Sequence, residues 1–179
     1  MWRNTATRFG LTSRLLHWSM AALIVTLLVL GTVLTSIQPG LSTLWLYGLH
    51  KTLGIITLSL GLVRVIWHRI SPAPASLGSP AAWQNRVARA THLALYALML
   101  AIPLSGWIAS SATGLDVVIF GQIILPPIAP VSEAWENTGF AIHGILTKVL
   151  MALLALHIAG AVLRGLKGDG TLRRITKGL

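Results

Sequence analysis

The chain contains no cysteine. That absence excludes disulfides, iron–sulfur clusters, thiolate zinc sites and covalent haem attachment through a CxxCH motif. Acid is nearly as scarce: four Asp and Glu stand against 14 Lys and Arg in 179 residues, a formal net charge of +10. Charged residues of both signs make up 10% of the chain and hydrophobic ones 54%, where a soluble domain carries about 25% charged residues. With a mean hydropathy of +0.75, the sequence has too little polar surface to cover a water-soluble core. The composition is that of an integral membrane protein. In a soluble chain the excess of base would point to nucleic acid. Here the bases gather at the ends of apolar runs, so the expected partner is membrane lipid and not nucleic acid.

Four segments reach the length of about 20 apolar residues that a bilayer crossing needs, at roughly 15–36, 46–67, 88–110 and 138–163. The expectation is an all-α membrane protein, a four-transmembrane-helix bundle forming a single domain over 1–179. The breaks between the spans carry turn chemistry. "SIQPGLST" follows the first, and "SPAPASLGSP", with three prolines, follows the second. The third break, "TGLDVVIFGQIILPPIAPVSEAWEN", is long, apolar and rich in Pro and Gly, and is expected to lie across the membrane surface. Arg3, Arg8 and Arg14 precede the first span; Arg64, Arg69, Arg86 and Arg89 surround the second connection; Arg164, Lys167, Arg173, Arg174 and Lys177 follow the fourth span. The first connection, 37–45, has no charge, and the third holds Asp116, Glu133 and Glu136 without a base. Basic flanks that alternate in this way place both termini and the second connection in the cytoplasm. The first apolar run is too long for a signal-peptide core and lacks an A-x-A exit, so it reads as a retained span.

Five of the six histidines fall within these spans. Ionisable groups in lipid are costly and mark function by default, against the alternative of ordinary helix–helix hydrogen bonding. Sorted by depth they form two layers, an outer one of His50 and His143 and an inner one of His17, His92 and His157. His143 and His157 lie fourteen residues apart on the fourth span, which is about four turns and roughly 21 Å of rise, on nearly the same face. Layered imidazoles from different helices are what two stacked b-type haems require, because each iron takes one axial ligand on each side. A haem-free metal site would need three or four close ligands, usually with carboxylates, and none of the four spans contains Asp or Glu. Gly31, Gly48, Gly54, Gly61, Gly106, Gly144 and Gly160 lie in or beside the spans. They allow close approach either of a flat ring or of a neighbouring helix. The sixth histidine, His68, falls at the cytoplasmic end of the second span and reads as interfacial.

Taken together, "LLHWSM" with Arg14, "LHKTLGIITLSLGLVRVIWHRISPAP", "THLALYALMLAIPLSGW", "IHGILTKVLMALLALHIAGAVLRG" and the tail Asp169–Arg174 resemble the bacterial cytochrome b561 family over nearly the whole chain. Those proteins are four-span dihaem cytochromes of the inner membrane that exchange electrons with quinone. Similar membrane subunits of formate dehydrogenases and hydrogenases carry haem histidines on their first, second and fourth helices. The resemblance implies two haem b, one held by His17 and His157 and one by His50 and His143, with ubiquinone or a related quinone as diffusible partner. His92 is then left over, for a role near the inner haem or a quinone site, or as a competing ligand.

Haem propionates need counter-charges. Arg14, one turn before His17, and Arg164, two turns after His157, could supply them, or could snorkel to the phosphate layer. Lys51 and Lys148 fall on the outer half, where a positive-inside bias places no base, and are expected to neutralise the outer haem or draw in an anionic reductant. Some relatives oxidise superoxide on the outer side, and the acidic third connection departs from a basic entrance for it. Three functional classes follow: a quinone-linked oxidoreductase, a haem-containing membrane anchor relaying electrons to or from a separate, for instance periplasmic, redox protein, and a haem-free helical membrane protein. No catalytic residue is assigned.

Overall fold

The computed structural model describes residues 1–75, 77 and 82–178. Four long helices carry the fold: α1 (Leu11–Ser36), α2 (Leu44–Ile70), α3 (Ala82–Ala112) and α4 (Glu133–Leu166), followed by a short α5 (Thr171–Lys177). Each of the four contains a stretch long and apolar enough to cross a membrane. Their ends run beyond the expected spans because the helices continue into polar sequence. Glu133 and Glu136 occupy the first turn of α4, where carboxylates complement the helix dipole.

Few large side chains are buried. Met20, Leu58, Leu98, Met99 and Leu150 form the inner seam, while Val29, Ile66, Leu93, Ile145 and Leu163 are among many apolar side chains on the outside. A helix that is apolar all round is one whose outer face meets lipid. Hydroxyls within the spans bond back to their own helix, as Thr26 does to the Ala22 carbonyl and Thr147 to that of His143, which satisfies them where the hydrocarbon offers no water. The tightest helix contact is between α3 and α4. A Cβ on Gly139 would stand 2.9 Å from that of Ala109, so this crossing needs glycine.

The third connection has secondary structure of its own. It folds into an antiparallel hairpin, β1 (Val117–Ile119) and β2 (Ile123–Leu125), with Val117 opposite Leu125 and Ile119 opposite Ile123. Phe120 and Gly121 turn it with φ of 52° and 69°. The buried Thr52 of α2 accepts a hydrogen bond from Phe120 N at 3.3 Å, and Lys51 donates to the Asp116 carbonyl at 3.5 Å. The hairpin is thereby pinned to α2 beside His50.

At the opposite end the N-terminal segment, the stretch after α2 and α5 meet. The first amides of α1, at Leu11 and Thr12, donate to the carbonyls of Met1 and Trp2, which satisfies donors that a helix start leaves open. Asn4 joins this segment to Ser71 with two donated bonds, from its backbone N–H to Ser71 Oγ and from its side-chain Nδ2 to Ser71 O, each at 2.9 Å. Arg174, 6% exposed, donates to the Ala75 carbonyl and lies over the Phe9 ring. Trp18 of α1 donates to the Ile175 carbonyl at 3.1 Å.

Candidate functional site

The histidines gather in two layers, one toward the hairpin and one toward the chain termini. In the hairpin-end layer, α2 presents His50 and α4 presents His143, with ring centroids 6.3 Å apart. In the terminal-end layer, His17 of α1 stands 6.2 Å from His157 of α4. His92 of α3 belongs to the same layer, 5.3 Å from His157, and is exposed. Two imidazoles bound to opposite sides of one metal, each through a nitrogen at about 2.0 Å, would stand about 6.3 Å apart between centroids. The His50–His143 and His17–His157 pairs have that spacing, and the His92–His157 pair is about 1 Å too close. Among the described residues no three His, Asp or Glu side chains converge as a set of metal ligands, so these pairs suit a metal that brings the rest of its ligands with it.

The surroundings of the rings can be read atom by atom. His143 Nδ1 lies 3.0 Å from the Ile102 carbonyl and 3.1 Å from Ser105 Oγ. A carbonyl only accepts, so Nδ1 carries the proton and Nε2 keeps its lone pair free, as a metal-bound imidazole requires. His50 Nδ1 is buried with no hydrogen-bond partner among the described residues. Two of the glycines make room for rings. A Cβ on Gly106 would come within 3.1 Å of His143, and one on Gly31 within 3.4 Å of His50. Gly54, one turn past His50, and Gly160, one turn past His157, border open space, with nothing within 4 Å of an added Cβ.

A family profile described as prokaryotic cytochrome b561 matches residues 8–178. The chain belongs to the prokaryotic cytochrome b561 family. It is 33% identical over 159 residues to cytochrome b561 homolog 2 of Escherichia coli (strain K12), covering 86% of this chain and 82% of that protein. Cytochrome b561 homolog 1 of the same organism is 29% identical over 187 residues, covering 94% and 96%. The probable superoxide oxidase CybB of Yersinia pestis is 25% identical over 168 residues, covering 90% and 92%. As a cytochrome b561 the chain is a membrane electron-transfer protein, and membership implies b-type haem.

The basic residues expected near the haems occupy different settings. Arg164 is engaged: its Nε pairs with Asp169 at 2.6 Å and its Nη2 donates to the Leu77 carbonyl at 2.6 Å. Burial pushes the Asp169 carboxyl up, but hydrogen bonds from Thr171 and Arg164 and the Arg164 charge outweigh it and hold it below its ordinary value. Arg14 is half-buried against Gly178, with its Nε unpartnered among the described residues. Lys51 is tied to the hairpin. Lys148 is exposed, about 140° around α4 from His143, on the side facing away from the ring pair.

One residue of the terminal-end layer has no counterpart among the expected site residues. Arg64 of α2 approaches His17 Nδ1 at 3.3 Å through Nη2, and its Nε donates to Tyr96 Oη at 3.1 Å. In the sequence it stands fourteen residues after His50, as His157 stands fourteen after His143. The same helical arithmetic that pairs those histidines places Arg64 in the second layer.

Proposed function

We propose that residues 1–179 form one dihaem domain that exchanges electrons with a quinone from a bacterial inner membrane, with both termini cytoplasmic. The hairpin-end pair, His50 and His143, would hold one haem b, and the terminal-end pair, His17 and His157, the other. The matching ring separations of 6.3 and 6.2 Å carry this reading. When bound, the two haems supply one-electron redox centres at two depths. The chain's own part is to present four imidazoles from three helices, to fix the His143 tautomer through Ile102, and to exclude side chains from the rings at Gly31 and Gly106. Basic residues at the terminal end support the orientation.

The exposed His92 supports placing quinone exchange at the terminal end. It offers an imidazole beside His157 that can take or give the protons of quinone chemistry. The expected behaviour of His92→Ala is full haem content with quinol-driven haem reduction slowed by roughly 10²-fold. Loss of a haem in that variant would make His92 a ligand instead. Superoxide oxidation at the hairpin end is a second reading, favoured by the name of the Yersinia pestis relative. There, two superoxide anions would give up two electrons, which with two protons convert one quinone to quinol. Purified protein supplied with superoxide and ubiquinone, followed at the quinone absorbance, separates this from an anchor subunit, which would be reduced by a partner protein and show no such turnover.

A further inference from the structure

The guanidinium of Arg64 lies inside the bundle among His17 and Tyr96. All four acidic residues of the chain, Asp116, Glu133, Glu136 and Asp169, lie outside the apolar stretches. The one ion pair among the described residues is Arg164–Asp169 and does not involve Arg64. Among the described residues Arg64 is thus a half-buried cation without an anion, in a segment where isolated charge is costly.

Its present partner makes the point sharper. A guanidinium only donates, so the contact with His17 Nδ1 needs a lone pair there and puts the ring proton on Nε2. A His17 ring that binds iron through Nε2 carries its proton on Nδ1 and offers Arg64 nothing. The two states exclude each other. Once His17 is a ligand, Nη2 needs another acceptor, and Tyr96 Oη already serves Nε. Of the basic residues expected at this end, Arg164 is taken by Asp169 and Leu77, and Arg14 packs against Gly178.

On the dihaem reading above, we infer that Arg64 is the positioning residue for the terminal-end haem: it leaves His17 and pairs with a haem propionate carboxylate. A cation fixed at that carboxylate favours the reduced iron, whose positive charge is lower. Among the described residues the hairpin-end layer contains no equivalent arginine, and it serves as an internal control.

The test is a redox titration of the purified, haem-loaded protein that resolves the two haems. Arg64→Met is expected to lower the terminal-end potential by at least tenfold in the one-electron equilibrium, 59 mV, with the hairpin-end potential unchanged. Arg64→Lys, which keeps the charge, is expected to stay close to wild type. Tyr96→Phe, which removes only the phenol contact, is expected to leave both potentials in place even where thermal stability falls. Unchanged potentials in Arg64→Met overturn the inference. If that variant loses the terminal-end haem, Arg64→Lys decides: retention at near wild-type potential supports a role of charge, and loss overturns it. Reconstitution with haem dimethyl ester, whose propionates are uncharged, identifies the anion. Pairing requires the Arg64→Met effect to shrink with the ester, and an effect of equal size rules the propionate out. Wild-type protein that binds no haem defeats the underlying dihaem reading, an outcome distinct from any of these.

Discussion

The two histidine layers use the same ligand chemistry in different settings. At the hairpin end two imidazoles stand alone, each against a glycine, and the Ile102 carbonyl fixes the proton of His143. The Thr52–Phe120 contact holds the hairpin over that end of α2. At the terminal end three imidazoles share the space with a guanidinium and a phenol, and one ring, His92, is exposed. In the first layer the tautomer of His143 is set in advance. The second has a third imidazole and an arginine in contact with His17, a contact that would be given up if that ring took iron as proposed. On the proposed reading, that difference is between a layer that holds its haem and one that also exchanges protons and electrons with quinone.

The largest expected effects break one layer and spare the other. His143→Ala is expected to halve the haem b content, with the remaining haem keeping the terminal-end spectrum; His17→Ala is expected to do the converse. A pyridine haemochrome assay against protein concentration reads both. If either change removed both haems from a folded protein, the layers would not be independent.

A smaller effect tests ring clearance at the hairpin end. Gly106→Ala forces a Cβ against the His143 ring, whereas Gly31→Ala makes an ordinary contact with His50. Overpacking a tight site costs about 1–3 kcal/mol, so Gly106→Ala is expected to weaken hairpin-end haem retention by roughly tenfold, and Gly31→Ala by much less. Equal retention, measured by haem transfer to apomyoglobin, would mean that His143 shifts freely.

The four spans were legible because apolar runs of bilayer length are a strong signal. Their ends were not, because α2 and α4 continue into polar residues such as Arg69 and Glu133 that carry no sharp stop. The hairpin was hidden as well: its strands are three residues each, apolar on both faces, and turn at Phe120, a bulky residue in a backbone region that usually takes glycine. Helix α5 was too short to show a period. Among site residues, depth along the spans groups His92 with His17 and His157, and only the distances separate the 6.2 Å pair from the 5.3 Å pair. Arg64 was grouped with Arg69, Arg86 and Arg89 as a flank of the second connection, and the topology rule that used it concealed its place on the histidine face of α2. The glycines are ambiguous in the sequence between clearance for a flat ring and helix packing; Gly31 and Gly106 stand against histidine rings and Gly61 against Leu100 of α3, while Gly139, which packs on Ala109, was not among those singled out.

Lysines at the hairpin end are expected to act more weakly. Lys51→Met removes a cation beside His50 and should lower the hairpin-end potential, while Lys148→Met, on the far side of α4, should change it less. A redox titration that found the opposite order would move the electrostatic entrance to the outer face of α4.

The smallest effect concerns the clip that closes the terminal end. The folded Asp169 carboxyl titrates below its ordinary value, so its contribution is present above the unfolded carboxyl pKa near 3.9 and is lost as pH falls through the folded value. Asp169→Asn should therefore lower thermal stability at pH 7 by about 0.5–1 kcal/mol, with the difference from wild type vanishing in strong acid. A difference that persisted there would assign the effect to the Thr171 turn and not to the Arg164 charge pair.

The most direct measurement is the amount of haem b per chain in detergent-purified protein expressed with ample haem. Two haems per chain is the expected result, one for each ring pair at 6.2 and 6.3 Å. One haem, or none in a folded preparation, would contradict it.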